Sequence, residues 1–418
     1  MINRDWLAEL PSGWRAQRAD AVLDYRKTPA RTTEFELGEV FHYSIPAIQE
    51  TGNGVVQNGS EIESDKIRLD GGELIISKLN PRKGCVLLTQ PQSLPIVCST
   101  EFVPLVARPG FDARFAFYVF TSTPIRDLIS AVVHSATRSH QRANPEDITK
   151  IRIPVPPFAE QRLIADYLDR ETARVDALVA AKERLLELLA EKRRALITHA
   201  VTRGLDPRVP LRDSGIPWFG EIPTHWETER SRWLFRERDE RSTTGDEELL
   251  SVSHLTGVTP RSEKDVNMFE AETTEGYKIC RTGDLVINTL WAWMGAMGVA
   301  AVDGIVSPAY NVYQPGDRLD PSYIDLLVRL PVFAQEVTRY SKGVWSSRLR
   351  LYPEGFFEVF LPVPPLSEQR QIAEGVARET GKIDRLSLAA ERTIALIKER
   401  RAALIASAVT GQLGASPQ

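Results

Sequence analysis

The chain contains one long segment twice, and this repeat constrains its architecture more than any other feature. Residues 154–162 read Pro-Val-Pro-Pro-Phe-Ala-Glu-Gln-Arg, and residues 362–370 read Pro-Val-Pro-Pro-Leu-Ser-Glu-Gln-Arg, at an offset of 208 positions. The same offset relates Asp176 to Asp384, and the match runs without a gap almost to the end of the chain. A repeat of this length predicts a tandem of two similar halves.

The beginnings of the two halves also resemble each other. Residues 6–14 read Trp-Leu-Ala-Glu-Leu-Pro-Ser-Gly-Trp, and residues 218–226 read Trp-Phe-Gly-Glu-Ile-Pro-Thr-His-Trp. Between these landmarks and the long repeat, short β-branched or aromatic runs alternate with turns rich in Gly and Pro. We therefore predict two similar α/β (α+β) domains of mostly short strands, at residues 1–152 and 206–361.

The repeated segments predict two long helices, at residues 153–205 and 362–412, with a short tail at 413–418. Each opens with prolines, which favour an extended path before the helix begins. Apolar residues then recur at alternating spacings of three and four, which is typical of a coiled-coil seam. Packing the two stripes together would bury both, and the alternative is two independent helices docked on their own domains. The predicted seam residues are Ile164, Leu168, Val175, Leu178, Leu185, Leu189, Leu196, Ile372, Val376, Ile383, Leu386, Ile397 and Leu404.

Composition predicts a cytoplasmic protein without a membrane span. We find no run of about 18 apolar residues and no signal peptide at the N-terminus. Cys85, Cys98 and Cys280 lie far apart, which fits a reducing compartment and predicts small buried hydrophobic residues. The net charge of −4 argues weakly against nucleic acid. Any DNA-binding surface must therefore be local or completed by a partner.

Motifs that carry common enzyme chemistry are missing from the sequence. Neither a phosphate-binding loop nor a dinucleotide-binding glycine motif is present. Residues 80–83 are the nearest approach to an adenine-methyltransferase motif and fail at two positions. The six histidines show no metal-ligand spacing. We therefore predict no catalytic residues, no metal site and no cofactor bound by this chain.

The loops that differ most between the halves are the predicted site of specificity, because recognition residues concentrate on loops of a rigid scaffold. These stretches are residues 51–60, 77–83 and 134–144 in the first half, and 253–260, 288–293 and 342–350 in the second. Arg, Lys, Asn and Gln suit base edges, Ser and Lys suit phosphates, and Trp suits sugars or thymine methyl groups. The predicted DNA-binding residues are Lys78, Asn80, Arg82, Lys83, Arg138, His140, Gln141, Arg142, Asn288, Trp291, Trp293, Lys342, Trp345, Ser346, Ser347, Arg348 and Arg350.

Two readings of these loops remain open at the level of sequence. They are either recognition surfaces or ordinary polar loops with aromatic core residues. Arg142 and Arg350 are the stronger candidates, because they occupy equivalent positions in loops that otherwise diverge. A repeated arginine can nevertheless fix the loop rather than read a base.

The combined pattern resembles the specificity subunit of type I restriction-modification systems. The resemblance rests on the Pro-x-Pro-Pro-x-x-Glu-Gln segment, present twice, and on the Gly-Glu-Ile-Pro-x-x-Trp sequence at 220–226. It covers essentially the whole chain. The opening of the first domain is a degenerate copy, with Ala8 in place of Gly220 and Leu10 in place of Ile222.

The resemblance implies a function and a set of partners. Each variable domain would recognise one half of a bipartite, asymmetric target in double-stranded DNA. The long helices would pack antiparallel as a spacer and dock two methyltransferase subunits, which bring S-adenosylmethionine, and restriction subunits, which bring ATP- and Mg-dependent chemistry. The chain itself would be a non-catalytic subunit.

Two other hypotheses stay open. The first is a protein-interaction scaffold that does not bind DNA and uses the coiled coil as its working surface. The second is a self-contained accessory of a nuclease or methyltransferase, with an active site that the motif survey does not detect.

Overall fold

The computed structural model describes residues 6–81, 84–132, 141–263, 273–343 and 349–413. The chain forms two compact units, the first from residues 1–183 and 391–418 and the second from residues 184–390. The boundaries between the two units fall inside the long helices, whereas the sequence analysis predicts each long helix as a segment separate from the domains. Each unit thus combines one variable block with a part of each long helix.

The first unit is built on a four-stranded sheet and a five-stranded sheet. Their strand orders are β2-β10-β7-β8 and β3-β6-β9-β4-β5, and β1 pairs with β11. The strands are β1 Arg15–Arg18, β2 Leu23–Tyr25, β3 Thr28–Ala30, β4 Glu39–Tyr43, β5 Val55–Asn58, β6 Lys66–Leu69, β7 Leu74–Ser77, β8 Val86–Leu88, β9 Ile96–Ser99, β10 Phe102–Ala107 and β11 Arg152–Val155. The helices are α1 Ile45–Thr51, α2 Ala113–Thr121, α3 Thr123–Ala131, α4 Pro145–Thr149 and α5 Phe158–Arg203, the last of which continues into the second unit.

The second unit repeats the four-stranded sheet in the order β15-β22-β19-β20 and the flanking pair as β14 with β23. Its strands are β12 Leu211–Asp213, β13 Glu221–Pro223, β14 Glu227–Arg230, β15 Phe235–Arg238, β16 Leu250–Ser253, β17 Gly257–Pro260, β18 Lys278–Cys280, β19 Leu285–Ile287, β20 Met297–Val299, β21 Gly304–Val306, β22 Asn311–Pro315 and β23 Phe360–Val363. Its helices are α6 Ser231–Leu234, α7 Pro321–Val328, α8 Pro331–Arg339, α9 Pro353–Glu358 and α10 Leu366–Val409, and α10 ends in the first unit.

Burial explains why the central strands carry almost only apolar residues. Every residue of β7 and of β19 is buried, so these strands cannot alternate apolar and polar positions as a half-exposed strand would. One side of each four-stranded sheet packs on a domain helix, α2 in the first unit and α7 in the second, and on parts of the long helices. Leu168 and Ile405 join the core of the first unit, and Val201 and Ile372 join that of the second.

The long helices run antiparallel within each unit. In the first unit the Arg401 guanidinium lies 2.8 Å from the Asp176 carboxylate, and Lys398 donates to Glu183 at 3.1 Å. As residue numbers increase along α5, the numbers of the paired residues on α10 decrease. In the second unit Arg193 pairs with Asp384, and Leu205, just after α5, lies against Gly375, so the direction is the same. This arrangement excludes the alternative in which the two helices dock independently.

The seam between the helices departs from the prediction at three leucines. Leu178, Leu185 and Leu386 are 47%, 39% and 58% exposed and do not lie in the buried seam. Val179, which the prediction omitted, is buried instead. Leucines are adjacent in the sequence of α5, as at 185–186 and 188–189. The spacing of apolar residues therefore fits either of two neighbouring stripes on the helix surface.

The remaining predicted seam residues are buried or half-buried in the structure. They are Ile164, Leu168, Val175, Leu189, Leu196, Ile372, Val376, Ile383, Ile397 and Leu404.

The glutamine of the repeated Glu-Gln-Arg segment joins each long helix to its domain. Gln369 is fully buried, and its carbonyl accepts a hydrogen bond from the Asp320 amide at 2.8 Å. Its side-chain amide donates to the Arg318 and Pro364 carbonyls, also at 2.8 Å. Asp320 is in turn the N-cap of α7. One side chain thus fixes the start of α10 against a domain helix.

The equivalent residue Gln161 makes the same junction in the first unit. It accepts from the Asp112 amide at 2.8 Å and donates to the Pro156 carbonyl at 2.8 Å. Asp112 caps α2 as Asp320 caps α7. The repeat of this motif is therefore explained by a repeated structural junction.

The C-terminal end of each long helix contacts the N-terminal segment of a domain. Gly204, just after α5, has φ +75°, and a Cβ atom there would lie 3.5 Å from Trp226 and 3.0 Å from Glu368. Gly411, just after α10, has φ +73°, and its Cβ would lie 2.3 Å from Pro11. Both glycines end a helix in the left-handed conformation and leave room for a Pro-x-x-Trp segment.

Candidate nucleic-acid interface

Two loops that are distant in the sequence meet in the first unit. One follows β7 and the other precedes α4. Leu79 and Arg142 form an isolated antiparallel bridge, and the Asn80 amide donates to the Gln141 carbonyl at 2.7 Å. Asn80 has φ +49°, a conformation that asparagine tolerates better than most residues. The described parts of these two predicted stretches, residues 77–81 and 141–144, thus lie together.

Arg142 is engaged within this pair of loops. Its guanidinium forms a two-pronged pair with the Glu101 carboxylate, with Nε 3.1 Å from Oε2. Lys78 lies beside this pair. Burial lowers the pKa of Lys78, Glu101 opposes this shift, and Arg142 adds to it. The pair thus links the loop before α4 to the turn between β9 and β10, and DNA binding by Arg142 stays a prediction.

The equivalent loops meet in the second unit. Lys342 and Arg350 exchange two backbone hydrogen bonds of 2.9 Å, which close the loop between α8 and α9. The Leu351 amide then donates to the Thr289 carbonyl at 3.0 Å, and Arg350 Nε donates to Thr289 Oγ1 at 3.2 Å. The Arg350 guanidinium also lies over the Tyr352 ring, 5.5 Å from its centre. Both units therefore bring the same two loops together through backbone contacts.

The loop contents differ between the units. In the second unit the β19–β20 loop carries an apolar knob, formed by Leu290, Trp291, Trp293 and Met294. The rings of Trp291 and Trp293 stack at 6.5 Å with an interplanar angle of 15°. In the first unit the loop at this place presents Lys78 and Asn80.

Asn288 does not lie on the exposed surface, which corrects the prediction that its amide reads a base. The residue is only 6% exposed, and its backbone amide closes the β19–β20 loop by donating a hydrogen bond to the Ala296 carbonyl. Polar character alone does not distinguish a base-reading asparagine from one that the loop encloses.

The third predicted stretch joins the surface in the second unit. His254, from the β16–β17 turn, lines a cleft of 410 Å³ together with Trp293 and Met294. In the first unit, residues 51–60 form the end of α1 and the strand β5, which pairs with β4 in the five-stranded sheet. The pairing described for this stretch is with that sheet.

Eight predicted residues lie outside the described part of the chain. They are Arg82, Lys83, Arg138, His140, Trp345, Ser346, Ser347 and Arg348.

A cleft that carries both basic and acidic side chains lies beside the second loop pair and was not predicted from the sequence. A cleft of 680 Å³ is lined by Lys342 together with Arg232 and Arg339. Arg232 pairs with Glu358, and Arg339 pairs with Glu336 at 3.0 Å. These arginines come from separate helices, α6 and α8, so no local pattern in the sequence groups them with Lys342.

The described residues contain neither a metal-binding cluster nor a helix suited to cross a membrane. No group of three or more His, Cys, Asp or Glu side chains is placed to hold a metal ion within the described ranges. Among the helices of that same part of the chain, none combines the length and the apolar character that a membrane span requires.

Fold and site together define a tandem protein in which one repeated frame presents two unlike loop surfaces. Residues 11–188 match the family model of the type I restriction modification DNA specificity domain. The chain is 22% identical to the EcoKI specificity subunit of Escherichia coli K12, over 97% of this chain and 90% of that protein. It is 24% identical to the EcoBI specificity subunit of E. coli, over 76% of this chain and 69% of that protein. The chain is therefore similar to the specificity subunits of type I restriction enzymes, and its residues 11–188 match the DNA specificity domain of that family.

Solved structures show the same fold. A chain from a study of complex assembly and conformational transition of the type I R-M system superimposes with a TM-score of 0.74. That comparison covers 97% of this chain and 99% of the other, at 20% identity. The HsdS subunit from Thermoanaerobacter tengcongensis gives a TM-score of 0.53 at 20% identity, over 97% of this chain and 98% of that one.

Proposed function

We propose that this chain is the DNA sequence-recognition subunit of a type I restriction-modification complex and that each unit reads one half of a bipartite, asymmetric target. The observation that carries the proposal is the convergence of the same two loops in both units, through Leu79 and Arg142 in the first and Thr289 and Arg350 in the second. The two units share one backbone arrangement, and the side chains on their loops differ. Recognition of two half-sites with different sequences requires a shared backbone with different side chains.

The long helices act as the spacer between the half-sites. Within each unit, ion pairs join α5 to α10, and Gln161 or Gln369 fixes one of the two helices to the domain. A buried junction of this kind holds the recognition loops at a set orientation to the helix. A helix also gives a fixed length of about 1.5 Å per residue. Together these features make the helices suitable as a ruler.

The chain supplies recognition, and its partners supply the chemistry. In this proposal two methyltransferase subunits dock on the helices and bind S-adenosylmethionine. Restriction subunits add ATP- and Mg-dependent translocation and cleavage. The chain itself is non-catalytic, and its net charge of −4 leaves a part of the phosphate-neutralising surface to those partners.

The test compares DNA binding by the purified chain with binding by its complex with the cognate methyltransferase subunits. We expect weak binding by the chain alone and tight, target-specific binding by the complex at a fixed salt concentration. Equal binding of the complex to target and scrambled duplexes would contradict recognition. Failure of any footprint to appear with any partner would favour the interaction scaffold. Metal-dependent cleavage by the purified chain would favour a self-contained active site.

A further inference from the structure

We propose that the apolar knob of the second unit reads the C5-methyl groups of thymines in its half-site. This inference rests on the proposed DNA-recognition function and deepens it, because it names the base feature that one of the two domains recognises. It follows from the exposure, the rigidity and the electrostatic surroundings of the knob.

The knob exposes apolar surface at the place where the first unit carries the half-buried polar residues Lys78 and Asn80. Leu290, Trp291 and Met294 are 46%, 50% and 36% exposed. They are consecutive or nearly so, and the Trp293 ring extends the patch. Scattered apolar residues are ordinary on a protein surface, whereas a contiguous group of large ones marks an interaction site.

The knob is held rigidly, which suits recognition. Ala292, at its centre, is fully buried and anchors the turn. The Trp293 indole donates to the Leu290 carbonyl at 3.1 Å, and the Ala296 amide donates to the Trp291 carbonyl at 3.1 Å. Since the rings are already in place, little conformational entropy is lost on binding.

Cationic side chains flank the knob. At its base, Arg350 donates to Thr289, the residue just before Leu290. On its other side, Trp293 and Met294 share the 410 Å³ cleft with Arg329, whose guanidinium also lies 3.6 Å from the Asp325 carboxylate. The matching ligand has apolar groups set between negative charges. The major groove of duplex DNA has this character, because thymine methyl groups lie between the two phosphate backbones.

The experiment replaces thymines of the mapped target by uracil, which differs only in lacking the methyl group. The full chain, assembled with its methyltransferase subunits, binds duplexes that each carry one such replacement. We expect the wild-type complex to lose about fourfold in affinity for at least one position, all such positions lying within one half-site, as the loss of one buried methyl group predicts. A W291A complex should bind the thymine duplex about tenfold more weakly and no longer distinguish thymine from uracil.

Two further variants control for folding and for position. W291F keeps an apolar ring and should retain a part of the discrimination. W233A removes a tryptophan that is 73% exposed on α6, outside the knob, and should leave the discrimination unchanged. Equal binding of thymine and uracil duplexes by the wild type would overturn the proposal, and so would discrimination that persists in W291A. A W291A defect in subunit assembly instead of DNA binding would also overturn it, because the knob would then face a protein.

Failure of this inference can be distinguished from failure of the proposed function. If the wild-type complex prefers its target over a scrambled duplex but ignores the methyl groups, only the inference fails. If it shows no preference for the target, the recognition function fails as well.

Discussion

Arg193 of α5 pairs with Asp384 of α10 in the second unit, and the same pair recurs in the first unit as Arg401 with Asp176. Each residue of one pair lies 208 positions from its counterpart in the other, the offset of the repeat. The repeated sequence therefore encodes one helix-pairing register twice. The pairs select this register rather than supply much stability, since all four side chains are at least one-third exposed.

Reversing one charge of such a pair should cost more than deleting it. We expect R193A to lower the free energy of unfolding by about 0.5 kcal/mol, the usual worth of an exposed pair. R193D should lower it further, because two carboxylates then face each other. The double variant R193D/D384R should recover most of the loss. Urea denaturation of the full chain measures all three.

R184A is the matched control for this series. Arg184 also lies on α5 but pairs with Glu187 of its own helix, at 2.6 Å. Its loss should not be rescued by D384R. If the R193D/D384R variant is no more stable than R193D, the pair does not select the register.

The buried junction glutamines should be the most sensitive positions of the repeated segment. Q369A would leave the Asp320 amide and the Pro364 carbonyl without their partner, and we expect a loss of about 2–3 kcal/mol in the free energy of unfolding. Q369E keeps the acceptor but cannot donate to Pro364, so it should also be destabilising. Chemical denaturation followed by circular dichroism measures the change. Q314A, at an exposed glutamine of the same unit, should have little effect, and equal losses for Q369A and Q314A would disprove the role of the junction.

Arg142 should act through Glu101 in recognition of the first half-site. If the arginine fixes its loop through this pair, then E101A should weaken binding of that half-site to about the same extent as R142A. If Arg142 instead reads a base directly, E101A would free its guanidinium and would not reproduce the R142A defect. Binding of the assembled complex to duplexes with a change in one half-site separates these outcomes. R350A provides the comparison, since it should weaken only the other half-site.

The length of the spacer should set the gap in the DNA target. Inserting four residues at matched levels of α5 and α10 lengthens each helix by about 6 Å, close to two base pairs of DNA. We expect the preferred gap to change by about two base pairs while the half-site sequences stay the same. Selection of binding sites from duplexes with a randomised gap reads this directly. An unchanged gap would show that the helices are not the ruler.

Much of this architecture could be predicted because the repeat carries it. The long helices begin and end close to the residues that prolines and Gly204 mark, since local conformational limits on these residues act regardless of tertiary context. The choice between Leu178 and Val179 for the seam could not be made from spacing. It depends on how each helix rotates against its domain, which the junction at Gln161 fixes.

The loop pairs were predictable in position but not in detail. The stretches that diverge between halves do meet, because the shared sheets place the same two loops side by side. What each side chain does there depends on long-range contacts, such as Arg142 with Glu101, 41 positions away in sequence. The burial of Asn288 also depends on long-range contacts. The same is true of the cleft in which Arg232 and Arg339 lie beside Lys342.

Mapping of modified bases in a host that carries this chain and its methyltransferase tests the central claim most directly. We expect methylation within one asymmetric motif, made of two unlike half-sites with a fixed gap. We also expect R350A to reduce methylation at DNA sites in which only one half-site matches this motif perfectly. Methylation at a single continuous motif, or at sites without a common sequence, would contradict the account.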